Sequence, residues 1–154
     1  CPTLDIDGDG TPEVPVQTVF PGYEGNVTDQ NIRLTRWMTI GDNCFEEKYR
    51  SYFSVSEGYA FMLPKLWQTD VTAVSDGITG DIVFYHYTGS LSEPMQELMR
   101  IGIASDRDTR DSLLEDGYSL IHSRGNAYYF INVCESNDSL YLPESELLSC
   151  FRFV

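Results

Sequence analysis

No stretch of the chain approaches the roughly 20 consecutive apolar residues that a membrane-spanning helix needs. No basic start followed by an apolar run marks a secretory leader either, so the sequence reads as mature or trimmed. Basic side chains are scarce: Lys and Arg total 10 against 24 Asp and Glu, for a net charge of −14. Nucleic acids and anionic membranes are held by basic patches, so this balance argues against both as partners. Histidine is nearly missing, with His86 and His122 the two present. The cysteines, Cys1, Cys44, Cys134 and Cys150, are far apart, with no CxxC or CxxxH spacing, which argues against zinc. No glycine-rich phosphate loop occurs, because "GDGT" (8–11) lacks the following lysine and helix. Long internal repeats and low-complexity runs are absent as well.

What remains is a chain of 154 residues, 42% apolar and 13% aromatic, enough to bury a core as one domain or one domain with a small appendage. Four cysteines permit three pairings. An oxidising compartment favours Cys1 with Cys44 and Cys134 with Cys150, and buried free thiols are an equal alternative. Cys1 has two readings, a lipidated cysteine or an arbitrary edge. Asn26-Val27-Thr28 and Asn137-Asp138-Ser139 match the short glycosylation sequon.

The densest chemistry lies in "LDIDGDGTPEV" (4–14), where Asp5, Asp7 and Asp9 alternate with glycines behind them. Calcium takes oxygen ligands from tight loops, and glycines let the backbone wrap the ion. Asp5, Asp7 and Asp9 occupy loop positions one, three and five; Thr11 offers a backbone carbonyl and Glu13 a carboxylate. An EF-hand needs a glutamate where this chain has Val16, and its flanks are helical where "PEVPV" is extended. A β-flanked calcium loop fits better. Without an ion, the same residues make a solvated acidic turn.

Along the chain, "VPVQTVF" (14–20) reads as an edge strand because of its proline. "IRLTRWMTI" (32–40), the turn "GDN" and "CFEEKYRSYFSV" (44–55) read as a hairpin. "GYAFMLP" (58–64) is a strand, "DVTAVSD" (70–76) and "DIVFYHY" (81–87) a second hairpin, and "ELMRIGIAS" (97–105) a further strand. A helix follows, with Ser105 as cap, Gly117 as stop and Leu113 and Leu114 toward the core. "YSLIHS" (118–123) and "AYYFINVC" (127–134) pair around "RGN". Pro143 opens a last helix with Leu147, Leu148 and Phe151 on one face; "FRFV" extends it or returns to the sheet.

The stretch "DIDGDGTPEVPV" resembles the calcium loop of integrin-type (FG-GAP, or VCBS) repeats, where DxDxDGxxE joins two strands. The following "IRLTRWMTI" and "CFEEKYRSYFSV" resemble the final strands of such a repeat region. That resemblance implies that the chain starts inside a longer protein and that Cys1 is not a lipidation site. From Gly58-Tyr59-Ala60-Phe61-Met62-Leu63-Pro64-Lys65-Leu66-Trp67 onward, the chain is similar to the tail domain of cell-surface lipoproteins of gut Firmicutes. That likeness implies a PsbP-like fold in which binding or assembly, not catalysis, is the usual role. The expected architecture is therefore α+β: an antiparallel sheet with two helices over 56–154, preceded over 1–55 by a calcium-loop strap and β-hairpin.

Enzymatic sets are weak. Ser119, His122 and Asp116 lie close in sequence, but no nucleophile elbow accompanies them. Cys134 or Cys44 with a histidine is no better supported. Glu46 and Glu47 point to opposite faces of a strand, and Glu144 with Glu146 suit the first turn of a helix. The 20 aromatic side chains suit a carbohydrate or peptide surface, or the two faces of a sheet. The expectation is a non-enzymatic module of the bacterial surface or exterior, for binding or display. Its loop Asp5, Asp7, Asp9, Thr11 and Glu13 takes structural Ca2+, its partner is a protein or carbohydrate, and a lipid anchor in the full-length protein stays open. Two alternatives stand beside it: a small secreted hydrolase using His122, and a solute-capture lipoprotein anchored at Cys1.

Overall fold

A computed structural model describes residues 3–24 and 32–154. The strands are β1 (Val14–Thr18), β2 (Leu34–Ile40), β3 (Phe45–Ser54), β4 (Tyr59–Met62), β5 (Val71–Ser75), β6 (Ile82–His86), β7 (Glu97–Ala104), β8 (Ser119–Arg124), β9 (Ala127–Val133) and β10 (Phe151–Phe153). The helices are α1 (Arg107–Glu115) and α2 (Glu144–Leu148). The chain divides into two compact units, Cys1–Thr69 with Ser149–Val154, and Asp70–Leu148.

The first unit is a five-stranded antiparallel sheet in the order β1-β2-β3-β4-β10. β1 sits at the edge of the sheet, the position at which a strand tolerates a proline such as Pro15. β2 and β3 form a hairpin closed by Gly41 N–H donating to Cys44 O at 2.8 Å. Asn43 takes a φ of 70° in that turn, a conformation asparagine tolerates better than most residues. The β2–β3 register breaks between Trp37, opposite Tyr49, and Met38, opposite Glu47, so Lys48 is the extra residue of a β-bulge. Cross-strand partners share a face, so the bulge swaps which face β3 presents.

One face of this sheet carries Trp37, Ala60 and Met62, onto which Ile6 of the N-terminal strap packs. Trp37 is fully buried, and its Nε1 donates to Ser51 Oγ at 2.8 Å. The opposite face carries an aromatic cluster in which Phe61 meets Trp67 at 5.9 Å and Phe151 at 4.9 Å between ring centroids.

The second unit is also a five-stranded antiparallel sheet, in the order β5-β6-β7-β9-β8. Val83, Phe84, Leu98, Met99, Ile101, Phe130 and Ile131 are buried in it. Arg100 lies among Asp81 (3.3 Å), Asp76 (3.5 Å) and Glu97 (3.0 Å). Tyr118 donates to Asp81 Oδ2 at 2.5 Å. Gly102 lies beneath this network: a Cβ there would stand 3.0 Å from Asp81 Oδ1 and 3.2 Å from Tyr118 Cε2, so a side chain would push both aside by a few tenths of an ångström.

The PsbP-like α+β expectation is overturned. The described residues form mostly antiparallel β-structure in two sheets, with two short helices. The cause is visible at each helix. α1 buries no residue, and Leu114, expected in the core, is 47% exposed. The last helix ends at Leu148, and Phe151 and Phe153, two apart, return to the sheet against Phe61 and Tyr59. The cap of α1 is Asp106, one residue beyond Ser105, with its carboxylate accepting from Thr109 N–H at 2.7 Å. Gly117 does follow the helix with a φ of 89°.

Among the described residues Cys44, Cys134 and Cys150 form no disulfide, so the expected Cys134–Cys150 bridge is not formed. Cys1 and Asn26-Val27-Thr28 lie outside the described residues. Among the described residues, no helix is long and apolar enough to cross a membrane.

Candidate metal centre

The acidic loop is closed at its neck by an antiparallel bridge. Leu4 N–H donates to Glu13 O at 3.1 Å, and Glu13 N–H to Leu4 O at 2.9 Å. Above the neck, each aspartate folds the backbone around itself. Asp5 accepts from Gly8 N–H at 2.7 Å and Gly10 N–H at 2.9 Å. Asp7 accepts from Asp9 N–H at 3.1 Å, and Asp9 from Thr11 N–H at 2.7 Å. Such bonds are what short acidic side chains offer a turn. Gly8 and Gly10 take φ of 78° and 89°, the left-handed region that glycine enters without a Cβ penalty.

Glu13 faces inward. Its side chain is fully buried, and its Oε2 accepts from Ile6 N–H at 3.1 Å. A buried carboxylate is stable only when its charge and lone pairs are met. The charge is met from β3. The bulge turns Lys48 toward the face that holds Tyr49, and both side chains reach the loop. Lys48 Nζ stands 2.7 Å from Asp7 Oδ2, 2.6 Å from Asp9 Oδ2 and 3.2 Å from Glu13 Oε1. Tyr49 donates its hydroxyl to Asp7 Oδ2 at 2.9 Å.

These contacts set the charges. The Lys48 ammonium, with the Tyr49 hydroxyl beside it, holds the Asp7 carboxyl down at about 2. Lys48 and the Thr11 amide likewise lower Asp9. In return, Asp7 and Asp9 raise the Lys48 ammonium well above the ordinary lysine range. Tyr49 is raised by its bond to Asp7.

Of the five residues expected to hold calcium, Asp5, Asp7 and Glu13 each offer an oxygen within 4.8 Å of the others. Two oxygens on opposite sides of a calcium ion stand roughly 5 Å apart, twice the usual bond length, so the spacing suits that ion. The donors are all hard oxygens, which suits calcium over transition metals. Asp9 joins the group through Lys48. Thr11 is exposed and enters through its amide. Sequence reasoning missed Lys48 and Tyr49, because nothing in the spacing of the loop points to a strand 35 residues away.

The other candidates lie apart from any comparable set. His122 is on β8, its ring 5.7 Å from that of Tyr129. The other imidazole, His86, has its Nδ1 2.9 Å from Asp138 Oδ2. Glu47 lies between Arg36 at 3.2 Å and Arg50 at 2.5 Å. Glu144 and Glu146 occupy the first turn of α2, as expected. A cleft of ≈ 470 Å³ opens beside Gln17, Arg33, Phe53 and Ser56, and its described lining includes no carboxylate, histidine or cysteine. Comparison with known proteins adds no identity: no family model, no curated protein and no solved structure matches the chain.

Proposed function

We propose that this chain is a non-enzymatic, extracytoplasmic module for binding or surface display. Its N-terminal strap is clasped by a structural calcium loop of Asp5, Asp7, Asp9, Thr11 and Glu13. The observation that supports this is the convergence of three carboxylates within 4.8 Å, one of them fully buried, on a loop wound through two left-handed glycines. A bound ion carries positive charge to the buried Glu13 carboxylate, which Lys48 also approaches. The residues of the chain do the rest. Asp5 and Asp9 shape the turn, Leu4 and Glu13 close its neck, and Ile6 anchors it on Trp37 and Met62.

In this reading the metal is a clasp, and partner recognition belongs to the sheets. The net charge of −14 favours a basic protein surface over an acidic one, and a carbohydrate partner is compatible with the abundant aromatics.

The test is thermal unfolding in EDTA and in millimolar calcium, beside Asp7→Ala and Glu13→Gln. Calcium at about a hundredfold its dissociation constant raises stability by roughly 3 kcal/mol, and both variants abolish the rise. Identical unfolding of the wild-type chain in EDTA and in calcium would sink the calcium clasp.

A further inference from the structure

The N-terminal strap lies on one face of the first sheet, and the ladder fixes its direction there. Leu4 and Glu13 form an antiparallel bridge, and β1 continues from Glu13 along β2, with Val14 opposite Met38 and Thr18 opposite Leu34. The N-terminal side of Leu4 is therefore directed the way β1 runs, toward Thr18 and away from the β2–β3 turn. One row of the sheet crosses four strands on that side. Gln17 is opposite Thr35, Thr35 opposite Ser51, and Ser51 opposite Met62. Met62 N–H donates to Cys150 O at 2.8 Å, which sets Cys150 at the end of this row, just before β10. Cys150 packs against the cluster of Ile6, Trp37, Ala60 and Met62, and Leu4 packs against the same cluster.

Cys1 precedes Leu4 by three residues. Three extended residues reach about 10 Å, or three rows of a sheet. Leu4 is level with Glu13, so that reach ends level with Val16, one row from Gln17 and the row of Cys150. The other two cysteines do not meet it. Cys44 is exposed in the β2–β3 turn, where its carbonyl accepts from Gly41 N–H, and this turn lies in the opposite direction from Leu4. Cys134 belongs to the other unit, where Gln96 Nε2 donates to its Sγ at 3.6 Å.

We infer that Cys1 and Cys150 form a disulfide that ties the strap to the entry of the last strand. In forming it, the two thiols give up two protons and two electrons and one S–S bond closes. A disulfide oxidant such as oxidised glutathione accepts them and becomes two thiols. The bond closes a loop of nearly the whole chain, the case in which a cross-link restricts the unfolded chain most. It joins the two separate segments of the first unit whatever fills the acidic loop. A thioether-linked lipid on Cys1 would occupy the same sulfur, so the two modifications exclude each other.

For the test, the chain is oxidised in glutathione redox buffer, and the monomer is isolated and alkylated without reduction. Trypsin with a glutamate-specific protease then places the four cysteines on separate peptides. Mass spectrometry is expected to find the Cys1 peptide joined to the Cys150 peptide, with Cys44 and Cys134 alkylated. Thermal unfolding is the second readout. Reductant should lower the wild-type unfolding temperature by roughly 10 °C. Cys1→Ser and Cys150→Ser should lack the joined peptide and ignore reductant, while Cys44→Ser should behave like the wild type. A Cys1 peptide joined to Cys44 or to Cys134 would overturn the inference. Alkylation of all four cysteines in the oxidised, folded monomer would overturn it as well.

Discussion

Glu13 sits where no charge is comfortable, fully buried between the strap and the sheet, with one oxygen on Ile6 N–H and the other on Lys48. Removing it strands the buried Ile6 amide and takes one of three carboxylates from Lys48, which keeps Asp7 and Asp9. Glu13→Ala is expected to cost about 2 kcal/mol, below the full cost of breaking a buried ion pair because Lys48 stays paired with Asp7 and Asp9. Urea unfolding followed by tryptophan fluorescence reads this as a lower midpoint at unchanged slope. A loss under ~0.5 kcal/mol would mean that Ile6 docks the strap without the carboxylate. The acidic half of this site was legible because Asp5, Asp7, Asp9 and Glu13 fall within nine consecutive positions. Lys48 was not. Strict alternation puts Phe45, Glu47, Tyr49, Ser51 and Phe53 on one face, whereas the register sets Tyr49 opposite Trp37 and Glu47 opposite Met38. A single inserted residue resets the period, and neither composition nor spacing announces it.

At the scale of elements, the loop after β9 is fixed by Asp138. Its carboxylate accepts from Leu140 N–H at 2.8 Å and meets His86 at the end of β6. Burial pushes this carboxyl up, but the Leu140 amide and the His86 imidazole more than offset it, leaving it below the ordinary aspartate value. A depressed carboxyl stabilises the fold above its unfolded value and loses that contribution as pH falls through the lowered one. The acid limb of the stability curve should therefore flatten in Asp138→Asn, measured as unfolding midpoint from neutral pH down to strong acid. An unchanged acid limb would show that the pair contributes nothing. The hairpins were readable because alternation and turn residues agree at each of them. The helices were misjudged for a physical reason. A leucine pair such as Leu113 and Leu114 signals burial only if the sheet beneath needs cover, and here α1 buries none of its residues. Likewise Leu147 and Phe151 have helical spacing, but Phe151 and Phe153 have strand spacing, and pairing with β4 decides between them.

For the whole molecule, charge dominates. At −14 over 154 residues, mutual repulsion opposes compactness, while internal ion pairs at Lys48 and Arg100 work the other way. Screening acts most on charges farther apart than about 10 Å at 0.1 M salt, so distant repulsion fades before these close contacts do. The unfolding temperature is expected to rise between low and moderate sodium chloride, in the presence of EDTA to exclude divalent ions. A falling temperature would show that the close pairs outweigh the repulsion.

The strand order of the first sheet also governs how the protein is made. β10 completes that sheet from beyond residue 150, whereas all of Asp70–Leu148 forms the other unit. On the ribosome, chains commonly fold in the order in which they emerge. Here the second unit can close as soon as residue 148 has emerged, from the ribosome or from an export channel, while the first waits for Phe151–Phe153. Of the two units, the one whose strands emerge earlier is thus the later to finish, and a chaperone meeting the emerging chain would find Phe61 and Tyr59 still lacking their final partners.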